Sequence, residues 1–262
     1  MDGIVNMFNR IGARAAVARV PRLGKGIELD VRRDRLGEYF TLLVADRTDV
    51  RPGPADAGLR HAVVIGVDHR RNERHRFLCG HDERHWFVAS IPEARGISSV
   101  EAAMEALKPA PVRFAQESLR VRAKDRQRRR NAGYIRQGEW FFVPRPGLSF
   151  DGPMALRNEP LRRSMRGKAH MMELAHRTGG EQVWVCRFHP EGLTQKGYEA
   201  VRAAKPEASR WNWQLMRRGA AVFAKGRVTH PDHATVHLGC WHEVFINTEG
   251  AAAGQQFVAF LD

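Results

Sequence analysis

The hydrophobic positions of this chain fall into short runs separated by turn residues, a pattern typical of β-strands rather than of long amphipathic helices. The run at 61–68 is almost continuously apolar and is predicted to be a buried strand. Two longer stretches, 74–89 and 221–247, are interrupted near the middle by turn residues, so each is predicted to be a hairpin. The second hairpin has Pro231 and Asp232 at its tip. The pattern therefore favours mainly antiparallel strands.

A few segments between the strands have helical character. A capping box formed by Ser98 and Glu101 predicts a helix that Pro109 ends. Further helices are predicted at 112–131, which is rich in arginine, and at 194–204. Because strands and helices do not alternate regularly, the sequence indicates an α+β fold: antiparallel strands and hairpins with a few inserted helices, one of them arginine-rich.

Proline and glycine mark loops at 51–58 and 145–153, and the second is the best candidate for a domain boundary. We therefore predict an α+β region over 1–145, which ends in the basic helix and a strand. A β-rich region over 146–262 follows and ends in the closing hairpin. The sequence leaves open whether these two regions are separate domains or one continuous domain.

Positive charge is concentrated in the middle of the chain. The protein has 43 Lys and Arg against 29 Asp and Glu, a net charge of +14, and residues 109–168 alone carry 15 cations against 5 carboxylates. Such a focused field attracts polyanions, and guanidinium groups bind phosphate in a bidentate manner. The predicted nucleic-acid-binding residues are Arg120, Arg122, Lys124, Arg126, Arg128, Arg129, Arg130, Arg136 and Trp140.

Aromatic residues interleaved with these arginines indicate the kind of nucleic acid. Trp140 lies on a predicted strand, 138–144, beside the arginine-rich helix, where its ring is placed to stack on an unpaired base. This combination favours RNA or single-stranded nucleic acid. Core packing is the other role that an aromatic residue on a strand can have. An adaptor that docks an acidic protein partner on the same basic segment is an alternative that charge alone leaves open.

Every cysteine is followed closely by a histidine, and two of the three share a longer spacing. Residues two apart on a strand face the same side, and thiolate and imidazole groups suit zinc. The spacing gives two candidate half-sites for zinc or another divalent metal: His69, Cys79 and His81, and His230, Cys240 and His242. The alternative is that the apolar neighbours of Cys240 place this face of the strand in the core.

Histidines and acidic residues are also predicted together at the tips of the two hairpins. Because a histidine can take and give a proton near neutral pH, such tips suit a metal- or histidine-dependent nuclease or phosphodiesterase as an alternative function. The candidate catalytic residues are His81, Asp82 and His85 at one tip, and His230, Asp232 and His233 at the other. The sequence contains neither a phosphate-binding glycine loop nor a G-x-S-x-G motif, which disfavours nucleotide-driven and serine-hydrolase chemistry.

Composition also bears on the compartment. No apolar run reaches the length of about 18 residues that would span a membrane. The apolar residues near the amino terminus are interrupted by Arg14 and Arg19, which disfavours a secretory signal. Three widely spaced cysteines do not make a disulfide framework and suit a reducing environment. We therefore expect a cytoplasmic protein without a transmembrane segment.

Overall fold

A computed structural model describes residues 1–92, 97–150, 152–162 and 168–249, together with the backbone of 258–260. The described residues form the predicted α+β fold, with four α-helices and mostly antiparallel sheets. They fold as two compact units. The first comprises Met1–Glu139, Asp232–Ala234 and 247–249, and the second comprises Trp140–Pro231, Thr235–Ile246 and 258–260, each within the described ranges. None of the helices in these ranges is long and apolar enough to cross a membrane.

The first unit contains a three-stranded and a four-stranded sheet. Its helices are α1 (Asp2–Arg10), α2 (Val100–Ala106) and α3 (Ala110–Ser118). Its strands are β1 (Ala15–Val20), β2 (Ile27–Asp34), β3 (Gly37–Ala45), β4 (Thr48–Asp56), β5 (His61–Asp68), β6 (Glu73–Asp82), β7 (His85–Ser90) and β8 (Ile135–Gln137). The strand order is β1-β3-β2 in one sheet, with β1 parallel to β3, and β4-β5-β6-β7 in the other, which is antiparallel throughout.

Helix α1 packs its apolar face into the main core of the first unit. Ile4, Met7 and Phe8 recur at the three- and four-residue spacing of a helix, and all three are buried. Phe8 stacks on Phe40 of β3 with the ring centroids 4.5 Å apart. Val64 of β5 belongs to the same cluster, so this helix packs against residues of both sheets.

Strand β5 is covered on both faces. Val64 faces the cluster around α1, whereas Val63 packs with Val100 and Ala103 of α2. A strand buried on both sides has no polar face to present to water, which explains why the sequence of 61–68 is almost continuously apolar.

Two local predictions for the first unit differ from the structure. Ser99, rather than Ser98, caps α2: its Oγ accepts a hydrogen bond from the N–H of Ala102 at 3.1 Å. Strand β4 runs through part of 51–58, which was predicted to be a loop. Because β4 lies at the edge of its sheet, the missing N–H of Pro52 can be tolerated there.

The arginine-rich stretch is not an α-helix, although a helix is predicted over 112–131. Helix α3 ends at Ser118, Arg120 has a left-handed φ of 49°, and a single 3-10 turn, Ala123–Asp125, follows. Closely spaced like charges repel one another along a helix, which opposes its continuation through these arginines. Residues 120–130 are called the basic loop below.

The second unit contains two sheets and helix α4 (Gln195–Ala204), which Thr194 caps and which confirms the helix predicted at 194–204. Its strands are β9 (Trp140–Pro144), β10 (Leu156–Leu161), β11 (His170–Thr178), β12 (Glu181–Cys186), β13 (His189–Leu193), β14 (Gln214–Arg218), β15 (Ala221–His230), β16 (His233–Ile246) and β17 (Val258–Phe260). In one sheet β10, β11, β15, β16 and β9 are neighbours in that order, and in the other β13, β12, β14 and β17. Strands β15 and β16 confirm the predicted closing hairpin.

An ion pair on the three-stranded sheet gives the first unit a sensitivity to acid. Arg14 binds both carboxylate oxygens of Asp34, at 2.9 and 2.7 Å, and these hydrogen bonds lower the pKa of Asp34 from 3.8 to about 2. A carboxyl group with a lowered pKa stabilises the fold above its ordinary pKa, and this contribution is lost as pH falls toward about 2.

We therefore expect the Asp34→Asn variant to lose less stability than the wild type between about pH 4 and about pH 2. The free energy of unfolding in urea, measured at both pH values, provides the comparison. Asp30→Asn is the matched control, because Asp30 lies on the same strand and its carboxylate forms no ion pair within the described residues. Equal pH dependence in the wild type and Asp34→Asn would contradict the assignment.

Candidate nucleic-acid interface

The basic loop is held in place through its backbone. The carbonyl oxygen of Arg126 accepts hydrogen bonds from three buried side chains: Lys108 Nζ at 2.8 Å, Gln116 Nε2 at 2.9 Å and the Tyr134 hydroxyl at 2.8 Å. These donors take the place of the backbone N–H that would bind this carbonyl in a helix. The path of the loop is therefore fixed without using the charged ends of its arginines.

Lys108 is the centre of this network. Its side chain is 2% exposed, and its ammonium also donates to Glu105 Oε2 at 2.7 Å and to Gln116 Oε1 at 3.0 Å. Its three N–H donors therefore all have acceptors. Burial lowers the pKa of Lys108, although the neighbouring Glu105 carboxylate opposes this effect. A buried charge with complete hydrogen bonding ties α2 and α3 to the loop.

The cations that the loop exposes outnumber its carboxylates. The exposed cations are Arg120, Arg122, Lys124, Arg128 and Arg130. Arg122 and Arg128 share the carboxylate of Asp125, at 2.9 and 3.1 Å, but their side chains remain 72% and 67% exposed. No carboxylate of the described residues forms an ion pair with Arg120, Lys124 or Arg130. The loop thus presents five exposed cations and one carboxylate.

Two of the arginines predicted to bind nucleic acid are instead bound within the protein. Arg129 forms ion pairs with Asp82 and Glu83, and Arg136 lies 3.2 Å from Asp82 Oδ1. Burial, and then repulsion from Arg136, lower the pKa of Arg129 to about 10. These two guanidinium groups attach the basic loop and β8 to the tip of the β6–β7 hairpin, so the prediction that they meet phosphates is corrected.

Trp140 and Arg126 are also less accessible than predicted. Trp140 on β9 is 1% exposed, which corrects the prediction that its ring stacks on a base and places it in the core. Arg126 is half-buried, and its Nε donates to the carbonyl of Val121 at 3.2 Å. Its guanidinium is therefore used in part to close the loop on itself.

An exposed apolar pair beside the basic loop was missed in the sequence. Phe114 on α3 is 69% exposed and Leu119, just after this helix, is 53% exposed. The buried face of α3 consists of Val112, Ala115 and Gln116, so Phe114 lies outside the buried stripe. This position outside the apolar periodicity of α3 is the sequence signal that could have identified Phe114 as an exposed ring.

The first hairpin tip lies where the sequence predicts it, and its candidate catalytic side chains each have their own partner. His81 packs edge-on against Trp86 with ring centroids 5.0 Å apart, and His85 Nδ1 lies 2.7 Å from Glu38 Oε1. Burial lowers the pKa of His81. The Asp82 carboxylate is bound by Arg129 and Arg136, so it is already paired within the protein.

Within the first unit, Glu83 joins this tip to the turn of the second hairpin. Its Oε2 accepts the N–H of Ala234 at 2.5 Å and lies 3.9 Å from His233 Nδ1. Glu83 also binds Arg129. His233 therefore lies beside a carboxylate that already accepts from a guanidinium and from a backbone amide.

The first predicted metal half-site is not assembled. Cys79 pairs with Ala62 near the start of β5, whereas His69 follows the other end of this strand, seven residues later. At about 3.4 Å per residue, this separation is roughly 24 Å, too far for a shared ion with Cys79 or with His81. Cys79 is fully buried, which raises the pKa of its thiol, and His69 pairs with Asp49 instead.

The second predicted half-site is assembled only in part. Cys240 Sγ and His242 Nδ1 lie 3.9 Å apart. However, His242 is buried, and its Nδ1 lies 2.8 Å from the carbonyl oxygen of Cys240, to which it is placed to donate a proton. An imidazole nitrogen that donates a hydrogen bond cannot at the same time bind a metal, so Nδ1 of His242 does not share an ion with Cys240.

A different pair of histidines is brought together by the strand order of the second unit. His170 of β11 stacks on His230 of β15 with the ring centroids 4.2 Å apart, because these two strands are neighbours. Both histidines belong to the second unit. No spacing in the sequence links His170 to His230, and the pairing of β11 with β15 is what brings the two rings together.

The first unit thus presents an ordered basic loop, while several residues predicted to be functional from their spacing are used for folding. Lys108 holds this loop at the carbonyl of Arg126, and Asp82 and Glu83 hold it at the guanidinium of Arg129. Comparison with protein-family models, with curated proteins and with solved structures finds no match to this chain.

Proposed function

We propose that this protein binds nucleic acid through the basic loop, with RNA or another single strand preferred. The observation that carries the proposal is the exposure of five cations on a folded segment with one carboxylate, Asp125. Neutralising phosphates with these cations releases the counterions condensed on the nucleic acid, and this release drives association. The exposed ring of Phe114, on the helix that leads into the loop, supports the preference for unpaired bases.

The folded state of the loop adds to this argument. A disordered basic segment would lose conformational entropy when it binds, which offsets part of the electrostatic gain. Here the carbonyl of Arg126 is already bound by Lys108, Gln116 and Tyr134. The exposed cations are therefore presented to phosphates at little further entropic cost.

The test is a titration of a fluorescent single-stranded RNA of about 15 nucleotides at several salt concentrations. The variant replaces Arg120, Lys124 and Arg130 by glutamine, since these cations form no ion pair within the described residues. Each phosphate contact contributes about 0.7 to the slope of log K against log salt for a single strand. We expect the slope to fall by about 2 and the affinity near 0.1 M salt to fall roughly 100-fold.

A control variant separates the loop from general charge. Arg22, Lys25 and Arg35 are exposed cations of the first unit outside the loop, and their replacement by glutamine removes the same charge. We expect this control to bind RNA with nearly wild-type affinity and slope. Equal effects of the two triple variants would contradict the assignment to the basic loop, and no RNA binding by the wild type would favour an acidic protein partner.

A further inference from the structure

Six aromatic side chains lie together on the second unit and are called the aromatic surface. They come from β12, from the turn between β12 and β13, from the start of β13, from α4 and from the segment that precedes β14. The six residues are Trp184, Phe188, His189, Tyr198, Trp211 and Trp213. None of them was a candidate in the sequence, where the pair Trp211 and Trp213, two residues apart, is the clearest signal.

The rings of the aromatic surface are in continuous contact. Trp184 stacks on Tyr198 with ring centroids 4.5 Å apart, and Tyr198 meets Trp213 edge-on at 5.0 Å. His189 lies nearly parallel to Trp213, at 5.8 Å and an interplanar angle of 10°. Phe188 contacts Trp211 at 4.5 Å. The surface is therefore a row of rings rather than scattered aromatic residues.

These rings lie outside the aliphatic core of this region. That core consists of Val183, Val185 and Met216, whose side chains are buried. Phe188 is 47% exposed and the other five rings are half-buried, while α4 has no fully buried residue. The accessible parts of these rings, that of Phe188 above all, together form an aromatic patch of the kind that a ligand covers.

Cations lie on and around the same rings. The guanidinium carbon of Arg187 is 4.3 Å from the ring centroid of Phe188, and that of Arg202 is 5.3 Å from the ring centroid of Tyr198. Lys196, Lys205 and Arg210, on α4 and the 3-10 turn after it, are also exposed. Over 184–213 the chain carries five cations against three carboxylates, so the surroundings of the rings favour an anionic ligand.

The three indole N–H groups of the aromatic surface differ in their hydrogen bonding. The indole N–H of Trp184 donates to Gln195 Oε1 at 2.6 Å, and that of Trp213 donates to the Ala208 carbonyl at 2.8 Å. The indole N–H of Trp211, in contrast, has no acceptor among the described residues. It is therefore available to donate to an oxygen of a ligand that covers the row.

We infer that the aromatic surface is a second binding site, on which unpaired bases of a single-stranded nucleic acid stack while the surrounding cations meet its phosphates. Every base has a π-face, and stacking on aromatic side chains contributes about 1–3 kcal/mol per base with little dependence on sequence. In a duplex the same faces are already stacked on one another. The inference rests on the proposed function for the class of ligand, but it assigns the preference for single strands to different residues.

The test uses the full-length protein and fluorescent oligo(U) of about 15 nucleotides, with a duplex of equal length for comparison. The probe variants are Phe188→Ala and Trp211→Ala, and the conservative variant Trp211→Phe retains a ring. Loss of one stacked base is expected to lower the affinity for oligo(U) by about 5- to 150-fold. Because stacking releases no counterions, the slope of log K against log salt should stay at its wild-type value. Trp211→Phe should restore most of the affinity, and binding of the duplex should change little.

Leu36→Ala is the control for loss of an exposed apolar side chain, since Leu36 is 81% exposed on the other unit, and near-ultraviolet circular dichroism checks the fold of each variant. Unchanged oligo(U) affinity in both alanine variants would overturn the inference while leaving the basic loop as the binding site. Sensitivity to Phe188→Ala and Trp211→Ala without sensitivity to the triple loop variant would support the inference and overturn the proposed role of the loop. No oligo(U) binding by the wild type would overturn both.

Discussion

Replacing Asp82 by asparagine is expected to lower the free energy of unfolding by about 2–4 kcal/mol. The Asp82 side chain is 15% exposed and accepts from both Arg129 and Arg136. Without its charge, two partly buried guanidinium groups would face each other with only Glu83 to compensate for Arg129. Removing one partner of a buried ion pair destabilises a protein because the remaining charge stays desolvated. Urea unfolding followed by circular dichroism measures the loss.

Asp125→Asn is a matched control for this prediction. Asp125 also serves two arginines, Arg122 and Arg128, but their side chains are 72% and 67% exposed. Ion pairs of exposed arginines contribute at most about 1 kcal/mol, so this variant should be nearly as stable as the wild type. If Asp82 were a catalytic or metal-binding residue of a nuclease, its variant would lose cleavage activity without losing stability. Equal stability of the two variants would contradict the structural role of Asp82.

Replacing Lys108 by alanine is expected to lower the free energy of unfolding by about 3 kcal/mol. The substitution removes a donor to the carbonyl of Arg126 and to Gln116 Oε1, which is buried, and it leaves a cavity in place of the side chain. The loop should open locally as well. Hydrogen exchange of the amides over 120–130 should then become faster relative to the amides of β5.

Lys108→Met separates the contribution of the lost hydrogen bonds from that of the cavity. Methionine fills most of the volume of the lysine side chain but donates no hydrogen bond, so it should recover the cavity contribution and retain a loss of about 1–2 kcal/mol. Wild-type exchange rates over 120–130 in Lys108→Met would show that the ammonium does not hold the loop. A variant with slower exchange than the wild type would contradict the prediction altogether.

Elements whose ends are set by nearby residues could be predicted from the sequence. The closing hairpin turns at Pro231 and Asp232, and α4 begins after Thr194, because turn and cap chemistry involve residues a few positions apart. The strand at 51–56 was missed because Pro52 disfavours a central strand. An edge position, which only the complete sheet defines, permits it.

The candidate site was less predictable, because its contacts join residues that are far apart in sequence. Charge density identified the basic loop, but it could not show that Arg129 meets Asp82, 47 residues away. The helix predicted over 112–131 was wrong beyond Ser118. There the carbonyl of Arg126 accepts hydrogen bonds from the side chains of Lys108 and Tyr134 instead of a helical N–H, and local periodicity gives no sign of these donors. Periodicity likewise gave no reason to associate His170 with His230.

The anchoring of the basic loop through one peptide carbonyl has a consequence for how this protein can change. The residues that shape the loop, Lys108, Gln116 and Tyr134, are different from those that display its charge. Arg120, Lys124 and Arg130 can therefore be exchanged one at a time for other side chains without reshaping the support beneath them. Such a separation makes the loop a natural starting point for redesigning ligand preference on an unaltered framework.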